Sequence, residues 1–214
     1  MLKKITAALL MTIAVFTLHA QSEQDLATRF RIAASGGYAY RLGKKPLAND
    51  YYKDIARGPV FDVGLYYFFN HQSGTGIKYS EFSSFGSGNI ITGQFVRSNV
   101  KIRYIGPVYQ SRLISQSGRF HFLSAVSLGY MSFRDNAAFD QGSATLKGGT
   151  LGAMAELGSD LRIVRNLFAG AAVSVYGGSI STMHINGTPV KLEAEKRESL
   201  SRIEASLGIR YYFF

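Results

Sequence analysis

The chain has 214 residues, with 24 Lys and Arg against 14 Asp and Glu for a formal charge of +10, and it lacks Cys and Trp. Only 18% of residues are charged, below the roughly 25% of an ordinary globular domain, whereas 13 Tyr, 15 Phe and 23 Gly argue against disorder. Disulfides, thiolate metal sites and cysteine nucleophiles are thereby excluded, and the length fits one domain that buries a core or closes one large sheet.

Met1 to Ala20 reads as a secretory signal peptide: Lys3 and Lys4, then the apolar run Ile5 to Leu18, then Leu18-His19-Ala20 with cleavage expected before Gln21. The apolar run is too short to span a bilayer as a helix. Loss of the two lysines leaves 22 cations against 14 anions, a charge of +8. An exported chain of this kind is not expected to bind nucleic acid. A short segment, 21–27, precedes a single domain predicted over 28–214.

Beyond the signal, the chain alternates with period two, the mark of strands with two unlike faces. Strands are predicted at 28–42, 59–70, 76–84, 98–113, 119–133, 150–163, 167–179 and 198–214. In the first, Phe30, Ile32, Ala34, Tyr38 and Tyr40 oppose Arg29, Arg31, Ser35 and Arg41. In the second, Phe61, Val63, Leu65, Tyr67 and Phe69 oppose Asp62, Gly64 and Tyr66. The third is irregular, because Glu81 shares a face with Ile77 and Tyr79; a bulge or an early strand end would resolve it. In the fourth, Val100, Ile102 and Tyr104 oppose Lys101 and Arg103, and Pro107 after Gly106 predicts a bulge or a switch of face. In the sixth, Leu151, Ala153, Ala155 and Leu157 oppose Glu156, Asp160 and Arg162; in the last, Ile203, Leu207, Ile209 and Tyr211 oppose Arg202, Glu204 and Arg210.

The connections alternate long and short. Short turns fall at 71–74, 116–118 and 164–166; long ones cover roughly 43–58, 85–97, 134–149 and 180–197. A soluble sandwich has no reason to sort its loops by length, whereas a membrane barrel has short periplasmic turns and long external loops. One face carries aromatics toward both strand ends. The other mixes Arg and Lys with Gly, Ala and Ser, as a narrow lumen requires. Within lipid such a sheet must close, since an open edge would strand backbone polar groups. The expected fold is all-β: an eight-stranded antiparallel up-and-down transmembrane β-barrel.

The terminal run Ser206-Leu207-Gly208-Ile209-Arg210-Tyr211-Tyr212-Phe213-Phe214 resembles the C-terminal strand signal of bacterial outer-membrane proteins. Together with the eight strands and four long loops, it makes the chain similar to the OmpA/OmpX-like outer-membrane β-barrel domain. The resemblance implies residence in the outer membrane, contact with its lipid and lipopolysaccharide, and insertion by the barrel assembly machinery through Gly208, Tyr211, Phe213 and Phe214.

The expected lumen holds Arg29, Arg31, Arg41, Lys78, Lys101, Arg103, Arg162, Arg202 and Arg210 against Asp62, Glu156, Asp160 and Glu204. The charges either form a structural network or, through their positive excess, line a narrow path for anions. Adjacency of the first and last strands is expected to set Arg29 and Arg31 near Glu204. Lys44, Lys45, Tyr51, Tyr52, Lys53 and Arg57 in the first long loop are candidate contacts at the outer rim, either for anionic headgroups or for a surface ligand. Some eight-stranded barrels modify lipids with a His–Ser pair, but His121 and Ser124 fall on opposite faces, and His71 and His184 lie in connections. No cofactor, metal or catalytic residue is expected. Asn186-Gly187 reads as a turn, and Gly86-Ser87-Gly88 as a mobile loop. The functional expectation is a monomer with a structural or adhesive role exercised through its loops. A narrow passive pore and a lipid-modifying enzyme are the alternatives.

Overall fold

The computed structural model describes residues 29–43, 50–89, 95–140 and 142–213. The predicted signal peptide, segment 21–27, Lys44, Lys45 and Phe214 lie outside these residues. The alternating segments form β1 (Phe30–Arg41), β2 (Arg57–Phe68), β3 (Ser73–Asn89), β4 (Phe95–Ile114), β5 (Phe120–Phe139), β6 (Gly142–Val164) and β7 (Leu167–Gly177). They are followed by the short β8 (Ser179–Ile180), β9 (Thr182–Ile185), β10 (Thr188–Lys191) and β11 (Glu198–Ser199), then by β12 (Arg202–Phe213). A six-residue helix, α1 (Asp50–Ile55), precedes β2.

Strands β1 to β7 pair in chain order, and β12 joins β7 to β1, closing a ring of eight. All these pairings are antiparallel. The outward face is apolar where the strands run side by side: Phe61, Leu65, Phe122, Val126, Leu157 and Leu207 are all about half exposed or more. The inward face carries Arg31, Asp62, Lys78, Glu156, Asp160 and Arg202, each buried. This reverses the polarity of a soluble barrel and marks a wall that faces lipid. Val126, on the outward face of β5, sits midway along its apolar band. Val126→Arg is expected to cost about 2–4 kcal/mol, as a charge does at the bilayer midplane, read as a lower urea midpoint in vesicles; a loss below about 0.5 kcal/mol, normal for a wetted surface, would contradict the lipid-facing assignment.

The barrel is lopsided. β1, β2, β7 and β12 have 11 or 12 residues, whereas β3 to β6 have 17 to 23. Within the segments 85–97 and 134–149, expected as loops, residues 85–89, 95–97, 134–139 and 142–149 instead continue the β3–β4 and β5–β6 ladders. The β9–β10 hairpin extends this tall wall by pairing with β6. Asn186 (φ 49°) and Gly187 (φ 91°) supply its turn, the positive φ pair of a tight hairpin.

Inside the tall wall, α1 packs against β3 and β4. The Tyr51 hydroxyl lies 2.7 Å from Ser98 Oγ, and Ser84 Oγ donates to the Ile55 carbonyl at 3.0 Å. Gly86 and Gly88 belong to β3 and lie beneath this helix: a Cβ at Gly86 would come 2.6 Å from Ile55 Cγ2. Their flexibility is thus spent on close approach of the helix, not on a mobile loop. Burial raises the Tyr51 phenol above its ordinary range.

Two irregularities expected from the sequence do not occur. β3 runs through Glu81 without a bulge, and Glu81 stays on the outward face opposite Arg103. At Pro107 the β4–β5 ladder skips two residues and resumes in the same register, from Ile105↔Tyr130 to Val108↔Ser127. No face switch follows: Pro107 is exposed and Val108 buried. The missing donor falls where the β4–β5 ladder is interrupted, and Gly106 and Gly129 approach closely there, beneath the Tyr104 ring.

Candidate functional site

The lumen is the most elaborated polar site in the molecule. Asp160 on β6 is fully buried and collects three partners from across the barrel. Tyr212 donates its hydroxyl at 2.7 Å, Arg31 its Nε at 3.2 Å, and Arg210 Nε pairs ionically at 3.3 Å. Arg31 also donates Nη1 to Gln110 Oε1 at 3.1 Å, and its guanidinium stacks 4.8 Å above the Tyr66 ring. One turn of the wall away, Lys78 on β3 pairs with Glu156 on β6, which also accepts from Ser174 Oγ at 2.8 Å. Arg202 on β12 reaches Glu204 at 3.1 Å and Ser80 at 2.7 Å, and lies 4.1 Å over the Tyr176 ring. At the tall end Arg41 bonds Glu198 at 2.5 Å and the Ser199 carbonyl at 3.0 Å. Side chains from seven of the eight barrel strands are therefore linked across the axis.

This arrangement leaves little free space around Asp62. A cavity lined by Asp62, Lys78, Glu156, Tyr66, Arg31 and Arg210 has a volume of about 10 Å³, room for one water at most. Both Asp62 oxygens lack a hydrogen-bond partner there. Buried charge is nearly balanced: Arg31, Arg41, Lys78, Arg112, Arg202 and Arg210 face Asp62, Asp135, Glu156, Asp160 and Glu204.

Several expected lumen residues sit elsewhere. Arg103 and Lys101 lie on the outward face, 53% and 42% exposed, where β4 has risen above the apolar band. Outside that band the surroundings are water, so the charged face turns out and Val100, Ile102 and Tyr104 turn in. Arg29 lies exposed ahead of β1, and Arg162 is half-buried near the end of β6. Glu204 is not beside Arg29 or Arg31: the β1–β12 register sets Arg31 opposite Tyr212 and Glu204 opposite Ala39. Adjacency of the strands was legible, but their stagger was not.

The sequence reading passed over Gln110, Arg112 and Asp135, all buried. Arg112 stacks 4.0 Å over Phe68 and donates to the His71 carbonyl at 2.9 Å. Gln110 and Arg112 share the parity of Val100 and Ile102 on β4, which was the available signal, whereas Asp135, opposite Val100 on β5, falls in a segment expected as a loop. Of the rim candidates, both on α1, Tyr51 is buried with its hydroxyl on Ser98 and Tyr52 is half-buried, its ring edge-on to that of Tyr51. Lys53 and Arg57 are exposed, with Arg57 3.5 Å from Asp54. At the chain's end Tyr211 faces outward, Phe213 stacks on Phe30 at 5.5 Å, and Gly208 lies against the β1 backbone. His121 is buried between Phe168 and Tyr212, on the opposite face from Ser124.

A closed eight-stranded antiparallel barrel, apolar outside and charge-filled within, is the fold of an outer-membrane β-barrel protein, in line with the OmpA/OmpX-like resemblance. No family model and no curated protein sequence matches the chain. Among solved structures it is similar to the outer membrane protein OprG from Pseudomonas aeruginosa, at 14% identity and TM-score 0.56, over 87% of this chain and 96% of that one. It is likewise similar to Neisserial surface protein A, at 16% identity and TM-score 0.51, over 87% and 99%. A major outer membrane protein from Thermus thermophilus aligns at 9% identity and TM-score 0.56, over 86% and 99%.

Proposed function

We propose that the chain is exported through a cleaved signal peptide and set in a bacterial outer membrane as a non-conducting, monomeric barrel. Its role is structural or adhesive, exercised at the surface that rises beyond the bilayer. The observation that carries this reading is the plugged lumen, where Asp160, Arg31, Arg210 and Tyr212 converge on the axis. A narrow anion path needs free cations and open volume, and the near-balance of buried charge supports neither. The tall β3–β6 wall with its β9–β10 extension supplies an external surface much larger than turns alone would give. Placement of His121 inside, away from Ser124, supports a non-enzymatic role. Insertion is assigned to the barrel assembly machinery reading β12, and the surrounding partners to outer-membrane lipid and lipopolysaccharide.

Planar-bilayer recording of the refolded chain tests the reading. The expected trace stays at the lipid baseline under 100 mV at roughly 1 M salt. Reproducible unit steps that persist across preparations would reject the non-conducting assignment in favour of the pore.

A further inference from the structure

Asp62 projects inward from β2, between Ser35 on β1 and Ser80 on β3, and is 3% exposed. Neither carboxylate oxygen has a hydrogen-bond partner among the described residues, although two cations, Lys78 and Arg210, line the same cavity. Both cations are committed to β6: Lys78 pairs with Glu156, and Arg210 Nε lies 3.3 Å from Asp160. Arg210 Nη1 is likewise buried without a partner. The Lys78 ammonium has three donors, of which Glu156 takes one. Unsatisfied acceptors and spare donors therefore line one space without meeting.

A buried carboxylate left in that condition is costly, and three observations select what satisfies it. The first is volume, since about 10 Å³ admits one water and nothing larger. The second is charge. Arg31, Lys78 and Arg210 balance Asp62, Glu156 and Asp160, and the adjoining Arg202 and Glu204 pair with each other. A halide or an alkali cation would upset that balance. The third is chemistry: the occupant must donate to a carboxylate and accept from cations at once, which neither kind of ion can do.

We propose that a single water molecule is built into the lumen here, donating to Asp62 and accepting from Arg210 Nη1 and Lys78 Nζ. Three hydrogen bonds are the usual number for a buried water. The water ties Asp62 to the Asp160 group through Arg210 and to Glu156 through Lys78, so all three lumen carboxylates at this level share one network. Enclosed by the barrel wall, it exchanges only when the packing around it opens. The site rests on the closed, charge-lined interior and not on the adhesive role.

The test uses the refolded wild-type barrel. Crystals grown with rubidium bromide are expected to show one oxygen peak within about 3.2 Å of both Asp62 and Arg210 Nη1, with no anomalous signal. An anomalous peak there would put an ion in place of the water and overturn the proposal. So would a direct contact of Asp62 with Arg210 or Lys78 that closes the space. In deuterated micelles, NMR is expected to show NOEs at the water frequency to the Ala172 methyl and the Gly64 α-protons, which line the cavity. Their sign is expected to be that of water tumbling with the protein; absent NOEs, or the sign of freely exchanging water, overturn the site. Asp62→Leu is expected to lose these NOEs, and their persistence would overturn Asp62 as the anchor. The wild-type arms decide the matter even if that variant fails to fold. No current is measured, so failure here is distinct from failure of the non-conducting reading.

Discussion

Asp160→Ala is expected to lower stability by about 3–5 kcal/mol, the cost of breaking a buried ion pair and leaving its partners charged. Two guanidiniums, Arg31 and Arg210, would lose their anion in an interior with no room to hydrate them, and the Tyr212 hydroxyl would lose its acceptor. Urea titration of the barrel in lipid vesicles, followed by tyrosine fluorescence and by the heat-dependent gel shift, reads the loss. Asp160→Asn keeps an acceptor for Tyr212 but not the charge, and is expected to fall between the two. From the sequence, Glu204→Ala is expected to weaken folding more than any single loop substitution. Here Glu204 pairs with Arg202, which retains Ser80 and the Tyr176 ring when Glu204 is removed, so Glu204→Ala is expected to cost less than Asp160→Ala. Equal midpoints for the two alanine variants would refute the central role of Asp160.

Gly208→Val is expected to prevent folding into plain lipid vesicles, without any assembly machinery present. Gly208 lies between Ser35 on β1 and Gly170 on β7, and a Cβ there would overlap the Ala34 carbonyl oxygen and the Ser35 backbone. Backbone cannot rotate aside as a side chain does, so the cost is expected at or above the upper end of the about 1–3 kcal/mol typical of overpacking. The β1–β12 pairing closes the ring, and a defect at this seam leaves two edges open in lipid. Recovery of the heat-modifiable band at wild-type yield in vesicles, with failure confined to cells, would assign Gly208 to recognition by the assembly machinery instead of packing.

The strands themselves were legible because alternation with period two survives in every wall segment. Faces were assigned correctly for β1, β2, β6 and β12, whose residues stay within one environment along most of their length. The assignment failed on β4. Its outward residues run Arg97, Asn99, Lys101 and Arg103 above the membrane, then Ile105 and Tyr109 within it. The inward ones run Val96, Val100 and Ile102, then Gln110 and Arg112. Polarity inverts along one unbroken strand, and a reader who assumes a single solvent places half of it inside out. The same inversion makes Glu81 regular: it is polar because its stretch of the outward face is wet. Helix α1 was hidden for a different reason. Six residues are too few to show a helical period, and its burial depends on Gly86 and Gly88 leaving space on β3.

The +10 of the whole chain divides along the same lines. By itself the sequence determined the strand number, the aromatic-bounded outward face and the need to close, because these follow from period-two patterning and the absence of water in lipid. Stagger between strands decided which charges meet, since a shift of a few residues separates Glu204 from Arg31 and brings Asp160 to it from the opposite wall. Strand length beyond the bilayer decided which charges leave the lumen for the outer surface. Both depend on distances across the ring between residues remote in the chain, and no local pattern records them.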